Sequence, residues 1–139
     1  MTPTNIRELL LRDEGCVLKA YKDQVGKTTI GVGRNLDDKG ISLAEAELML
    51  DNDISEYTAA VIAELPWVAR LDEPRRAVLV SMGFNLGVAG LLKFKKFLAA
   101  AEKGNWTQAK IEGLDSKWAR QVEHRSDRLM EQLVTGEWR

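Results

Sequence analysis

Apolar positions along the 139-residue chain fall mostly at helical spacing, with one short exception near the N-terminus. Ile6, Leu9, Leu10 and Asp13 step by three and four behind Pro3, a residue suited to a first helical turn, and Gly15 offers a left-handed stop. A first helix is therefore expected over Pro3–Asp13, ending at Glu14. From Val17 to Gly33 the character changes to threonine, valine and isoleucine punctuated by glycine. Val17–Tyr21 and Lys27–Gly33 read as two short strands joined by the turn Asp23-Gln24-Val25-Gly26, with Asn35–Gly40 as a polar loop.

After Gly40 the pattern is helical. Ser42 followed by Glu45 is a capping box, and Leu43, Ala46, Leu50, Ile54, Tyr57 and Val61 form the stripe of a long helix that ends before Pro66. Asp72, Glu73 and Pro74 open another, which runs through Val78, Leu79 and Met82 towards Gly87. Leu92–Lys103 reads as one amphipathic helix stopped by Gly104. Asn105 with Gln108 opens a short helix, Trp118 lies in or near another, and Val122–Val134 closes the chain before Gly136. This order predicts an α+β protein of one domain, 1–139. A hairpin lobe of about 14–41 is joined by a connecting helix, 42–65, to a helical lobe made of residues 66–139 plus the N-terminal helix. A cleft between two such lobes is the natural place for a ligand.

Composition narrows this picture. With 45% hydrophobic residues the chain is neither disordered nor of low complexity, and at its length a core forms without metal or disulfide. A net charge of -1 argues against nucleic acid as the main partner, because phosphate binding relies on a basic surface. The charge is unevenly spread: residues 1–70 carry 8 basic and 12 acidic side chains, residues 71–139 carry 12 and 9. That split suits an anionic polymer touching one part of the molecule, and it equally suits ordinary surface variation. Cys16 is the only cysteine, which excludes an intrachain disulfide, and is expected as a small buried hydrophobe. Residues 1–12 do not read as a signal peptide and no stretch is long enough to span a membrane, so synthesis in the cytoplasm without stable membrane insertion is expected.

Two acidic positions stand out. Glu14 ends the first helix, where unsatisfied carbonyls create a negative field that favours a neutral carboxylic acid, the form a general acid needs. By position alone, a solvated helix-end glutamate is the commoner object. Asp23 opens the hairpin turn, and aspartate in turns ordinarily bonds its own backbone. The hairpin has the means to bring Asp23 back beside Glu14, and two carboxyls, one neutral and one ionised, are the usual equipment for cleaving a glycosidic bond. The third element is Lys27-Thr28-Thr29-Ile30-Gly31-Val32-Gly33-Arg34-Asn35. It lacks the third glycine and the following helix of a dinucleotide loop. Strand alternation places Thr29 on the face of Gly31 and Gly33, where its hydroxyl could hold a water or merely favour the strand.

Arg12-Asp13-Glu14-Gly15, Tyr21-Lys22-Asp23 and Thr29-Ile30-Gly31-Val32-Gly33 together resemble the catalytic signature of phage-type lysozymes, the endolysins of glycoside hydrolase family 24. The resemblance continues through Asp72-x-x-Arg75-Arg76-Ala77, Phe84-Asn85-x-Gly87-x-x-Gly90, Asn105-Trp106, Lys117-Trp118, Arg125 and Thr135-Gly136-x-Trp138, nearly the whole chain in order. It implies a lysozyme-like fold and a muramidase acting on peptidoglycan glycan strands as a monomer, with no cofactor and no metal. Glu14 would protonate the leaving oxygen, and Asp23 with Thr29 would position the attacking water, inverting the anomeric centre. Arg125 would lie close to the catalytic glutamate, and Ser81 and Asn85 would line the cleft. The protein would accumulate in the host bacterium's cytoplasm and reach the wall once the membrane is breached, by a holin.

Two departures from the family pattern follow. Where well-known members carry a histidine after the Gly-x-Gly strand, this chain has Arg34, and an Arg34–Asp53 ion pair is expected in its place. The hairpin lobe is also shorter, which implies a cleft more open on that side. Trp67, Trp106, Trp118 and Trp138 read as packing residues. Lys93, Lys95 and Lys96 fit either an anionic wall or the solvated face of the Phe94–Phe97 helix, and His124 carries no assigned chemistry. A lytic transglycosylase on a related fold, or a wall-binding module without turnover, are the alternatives. Asp23 and Thr29 argue against the former.

Overall fold

A side-chain cap rather than Pro3 starts the first helix in the computed structural model, which describes residues 2–139. The Asn5 side chain accepts from the Glu8 amide at 2.9 Å, so α1 spans Ile6–Glu14 and Pro3 lies ahead of it. The Glu8 carboxylate reaches back to the amide and hydroxyl of Thr4, which holds it below the usual carboxylate range. Gly15, at φ 71°, ends the helix and donates to Leu11 O at 3.0 Å.

The hairpin follows as β1 (Val17–Lys22) and β2 (Thr28–Gly31), antiparallel with Tyr21 opposite Thr29 and Lys22 opposite Thr28. The register is irregular between Val17 and Tyr21. The expected second strand through Gly33 is cut short. β2 ends at Gly31, and positive φ values of 69° and 65° at Gly31 and Gly33 turn the chain back there. Arg34–Asn35 then forms a third strand, β3, where a loop was expected from Asn35. It pairs Thr29 with Asn35 and Ile30 with Arg34, giving the order β1-β2-β3. The loop beyond is tied to the sheet by Asp37, whose carboxylate accepts from the Thr28 amide at 2.8 Å and is thereby kept below its ordinary pKa. Cys16, expected in a core, is exposed, because the segment between the α1 cap and β1 buries nothing.

The capping box forms as read. Glu45 N donates to Ser42 Oγ at 3.1 Å and Ser42 N to Glu45 Oε1 at 2.8 Å, opening α2 over Leu43–Glu64. Of its predicted apolar stripe only Val61 is buried; Leu43, Leu50 and Ile54 are exposed. The chain divides into two compact units, the first ending at Met49 and the second running Leu50–Arg139, so α2 belongs to both. The first unit includes α1, which the sequence pattern groups with residues 66–139 instead.

In the second unit a 3-10 turn, Pro66–Arg70, leads to α3 (Glu73–Leu86), capped by the Asp72 side chain. A short helix that the pattern did not give, α4 (Val88–Leu92), precedes α5 (Lys95–Glu102), which is the helix expected over Leu92–Lys103 with a later start. The break between the two falls at Phe94, whose ring sits edge-on to Phe97 and Trp118 at 6.3 and 6.2 Å. Three helices complete the unit: α6 (Trp106–Leu114), α7 (Lys117–Val122) and α8 (His124–Thr135). Val61, Val68, Val78, Leu79, Met82, Leu91, Phe97, Met130 and Leu133 form the dry core. Helices α6 and α8 approach closely at Gly113, where a Cβ would stand 2.6 Å from the Met130 sulfur. Arg75 closes the C-terminal end of α8: Nε donates to Leu133 O at 2.7 Å, Nη2 to Val134 O at 2.8 Å, and the guanidinium lies 4.6 Å over the Trp106 ring. A cation on the orphan carbonyls of a helix end is favourable both as a hydrogen bond and against the dipole.

Candidate active site

Within the first unit, the main chain of Lys27 holds Asp23 and Thr29 together. Asp23 N donates to Lys27 O at 2.9 Å, while Lys27 N and Val25 N donate to Asp23 Oδ1 at 2.8 and 2.9 Å. The Thr29 hydroxyl, on a residue only 4% exposed, donates to the same Lys27 O at 3.0 Å. Two consequences follow from counting lone pairs and protons. Oδ1 of Asp23 is engaged in the turn, whereas Oδ2 accepts no hydrogen bond among the described residues. The Thr29 hydroxyl has already spent its proton, so it can act only as an acceptor towards a further group. A carboxylate oxygen and a hydroxyl lone pair, both accepting, can hold the two hydrogens of one water.

Glu14 is brought elsewhere on the hairpin. It does not hydrogen-bond Asp23; its carboxyl lies against Gly33, where a Cβ would meet Oε2 at 2.9 Å and Cδ at 3.2 Å. The side chain is exposed, at the helix end that α1 was expected to provide. The alternation that placed Thr29 and Gly33 on one strand face does not hold, since β2 ends at Gly31.

Arg34 takes Glu45 as its partner, not Asp53. Its Nη1 donates to Glu45 Oε1 at 2.8 Å and to Gly40 O at 3.1 Å, and Nη2 to Glu45 Oε2 at 2.6 Å. The reason is helical rise: Asp53 lies eight residues beyond Glu45, about 12 Å further along α2, so a fork closed on the first turn leaves Asp53 out of reach. The bidentate guanidinium, helped by the Ser42 amide and hydroxyl, brings the Glu45 carboxyl down to about 2. In return the carboxylate raises the Arg34 pKa above its ordinary value. The spacing Ser42-x-x-Glu45 signalled the cap, but nothing local signalled that the cap glutamate also serves Arg34.

The remaining candidates lie in the second unit. Ser81 lines an apolar groove of about 500 Å³ with Leu50, Ile54, Phe84 and Trp138. Asn85, one turn on, uses its side-chain oxygen to accept from the Trp118 indole at 2.9 Å. Trp67 and Trp118 are buried as expected and Trp106 is half-buried, but Trp138 is 60% exposed. Arg125 stands exposed in the first turn of α8. It follows Glu123, whose φ of 24° is the one positive value at a non-glycine residue among those described.

Comparison with known proteins gives a consistent result. Residues 12–134 match the family model described as phage lysozyme. A probable T4-type lysozyme 1 of Dictyostelium discoideum is 29% identical over 96% of this chain and 95% of its own length. An endolysin of Acyrthosiphon pisum secondary endosymbiont phage 1 is 30% identical over 76% of this chain and 79% of its own. The pre-baseplate central spike protein Gp5 of Enterobacteria phage T4 is 27% identical over 95% of this chain, which spans 28% of that longer protein. With the family model covering nearly all of the α+β fold described above, this chain belongs to the phage lysozyme family.

Proposed function

We propose that the protein is an inverting muramidase that hydrolyses the β-1,4 bond between N-acetylmuramic acid and N-acetylglucosamine in peptidoglycan. The observation that carries this reading is the pairing of Asp23 and Thr29 through Lys27. In it, Glu14 gives its proton to the leaving glycosidic oxygen. Water, its hydrogens held by Asp23 Oδ2 and Thr29 Oγ1, presents an oxygen lone pair to the anomeric carbon, and Asp23 takes up the proton released as the new bond forms. An acceptor pair that orients a water, rather than a carboxylate placed to attack, is what separates inversion from retention. Arg125, Ser81 and Asn85 are assigned to the substrate-binding surface on the strength of the family pattern alone. Use as an endolysin is supported by the endolysin among its relatives; synthesis in the host cytoplasm and action once the membrane is permeabilised belong to the same proposal and follow from the family pattern alone.

Mass and anomer analysis of digested peptidoglycan tests the reading. Products carrying one added water, with the α-anomer formed first, are expected from the wild type and absent with Glu14→Gln. Anhydro products would identify a transglycosylase, and binding without cleavage a wall-binding module.

A further inference from the structure

We infer that Gly33 is a positioning residue for Glu14, and that its missing side chain sets where the acid's carboxyl stands. The inference rests on the assignment of Glu14 as general acid. Gly31 and Gly33 flank the same reversal with nearly equal backbone angles, φ 69° and 65°. An alanine is strained at either position, since both φ values are positive. Their surroundings differ completely. A Cβ on Gly31 meets nothing within 4 Å, whereas one on Gly33 comes within 2.9, 3.2 and 3.3 Å of Oε2, Cδ and Cγ of Glu14. The first of these distances is shorter than real Cβ contacts allow. Because Glu14 is exposed and its carboxyl ends a flexible side chain, the clash is relieved by swinging that carboxyl aside rather than by moving the backbone. The fold then loses little beyond the strain common to both glycines, while the proton donor loses its seat. Displacing a reacting group by about 1 Å costs up to about a hundredfold in rate.

The pair Gly33→Ala and Gly31→Ala separates seat from strain. Both variants should melt a few degrees below wild type. Only Gly33→Ala should lower kcat on peptidoglycan, by about 10- to 100-fold with KM little changed. Only Gly33→Ala should shift the Glu14 carboxyl carbon resonance in ¹³C NMR. An unmoved Glu14 resonance in Gly33→Ala overturns the inference, as does an undiminished kcat. So does an equal fall in kcat with Gly31→Ala, which would assign the effect to the reversal as a whole. Failure of the muramidase reading looks different: the wild type would not cleave, or Glu14→Gln would cleave as well as wild type. The resonance still decides whether Gly33 seats the carboxyl.

Discussion

From Leu50 to Arg139 the side chains most completely withdrawn from water are apolar but for Ser126, whereas among the described residues up to Met49 the one buried residue is Thr29. The second unit is held by a packed core. The first is held by directed side-chain bonds: to main-chain groups by Asp23 on Lys27, Asp37 on Thr28, Glu45 on Ser42 and Arg34 on Gly40, and to a carboxylate by Arg34 on Glu45. The difference teaches where each is vulnerable. A unit held by directed bonds places its polar atoms accurately and responds to pH, while a unit held by burial responds chiefly to lost volume.

Substitutions in each unit put that contrast at risk. The largest effect is expected in the first: Glu14→Gln should cut the rate of wall clearing by about 10²- to 10⁴-fold, the range for losing a general acid, with the melting temperature nearly unchanged. Asp23→Asn should behave alike, since an amide oxygen can still accept from Lys27 and Val25 and keep the turn, while the proton acceptor is gone. A large loss of stability in either variant would show that the site carboxyls carry the fold. Phe97→Ala, at the centre of the second unit, should do the reverse, costing about 3–5 kcal/mol of stability while leaving turnover per folded molecule intact in the cold. Arg75→Ala comes next, with about 1.5–3 kcal/mol lost from hydrogen bonds between a charged donor and carbonyls, read as a fall of several degrees in melting temperature. Retention of full stability would mean that the α8 carbonyls are adequately solvated by water.

The smallest effect is the pH response of the cap. The Glu45 carboxyl falls from its ordinary 4.5 to about 2 in the folded chain. A depressed carboxyl stabilises the fold fully above its unfolded pKa, and that stability is lost as pH falls from 4.5 through about 2. Denaturant titrations across this window should show stability decreasing with acid, and Glu45→Gln should flatten the slope. An unchanged slope would assign it to other carboxylates.

Local signals were legible in the sequence and non-local ones were not. Ser42 and Glu45 announced the start of α2 because a capping box is complete within four residues. At α1 the start was read from Pro3, whereas the helix begins behind Asn5, whose side chain satisfies an orphan amide that proline merely omits. Helical spacing set the start of α5 at Leu92, whereas the helix begins only after Phe94, whose ring packs on Trp118, twenty-four residues away. The motif named Glu14, Asp23 and Thr29, yet the groups that hold them, the Lys27 main chain and the bare face of Gly33, have no signature of residue type. Arg34 was read with the wrong acid because both candidates lie on α2, and only the position of β3 chooses between them.

The Lys27 anchor has a consequence for engineering. Asp23 and Thr29 are tied to its peptide groups, and the lysine side chain takes no part beyond an exposed pair with Asp38 at 3.2 Å, of a kind that contributes little. Position 27 is therefore a tuning point: its charge can be removed or reversed to adjust the field beside Asp23 while the alignment of the pair stays fixed. Proline is the one replacement ruled out in advance, since it deletes the amide proton on which Asp23 depends.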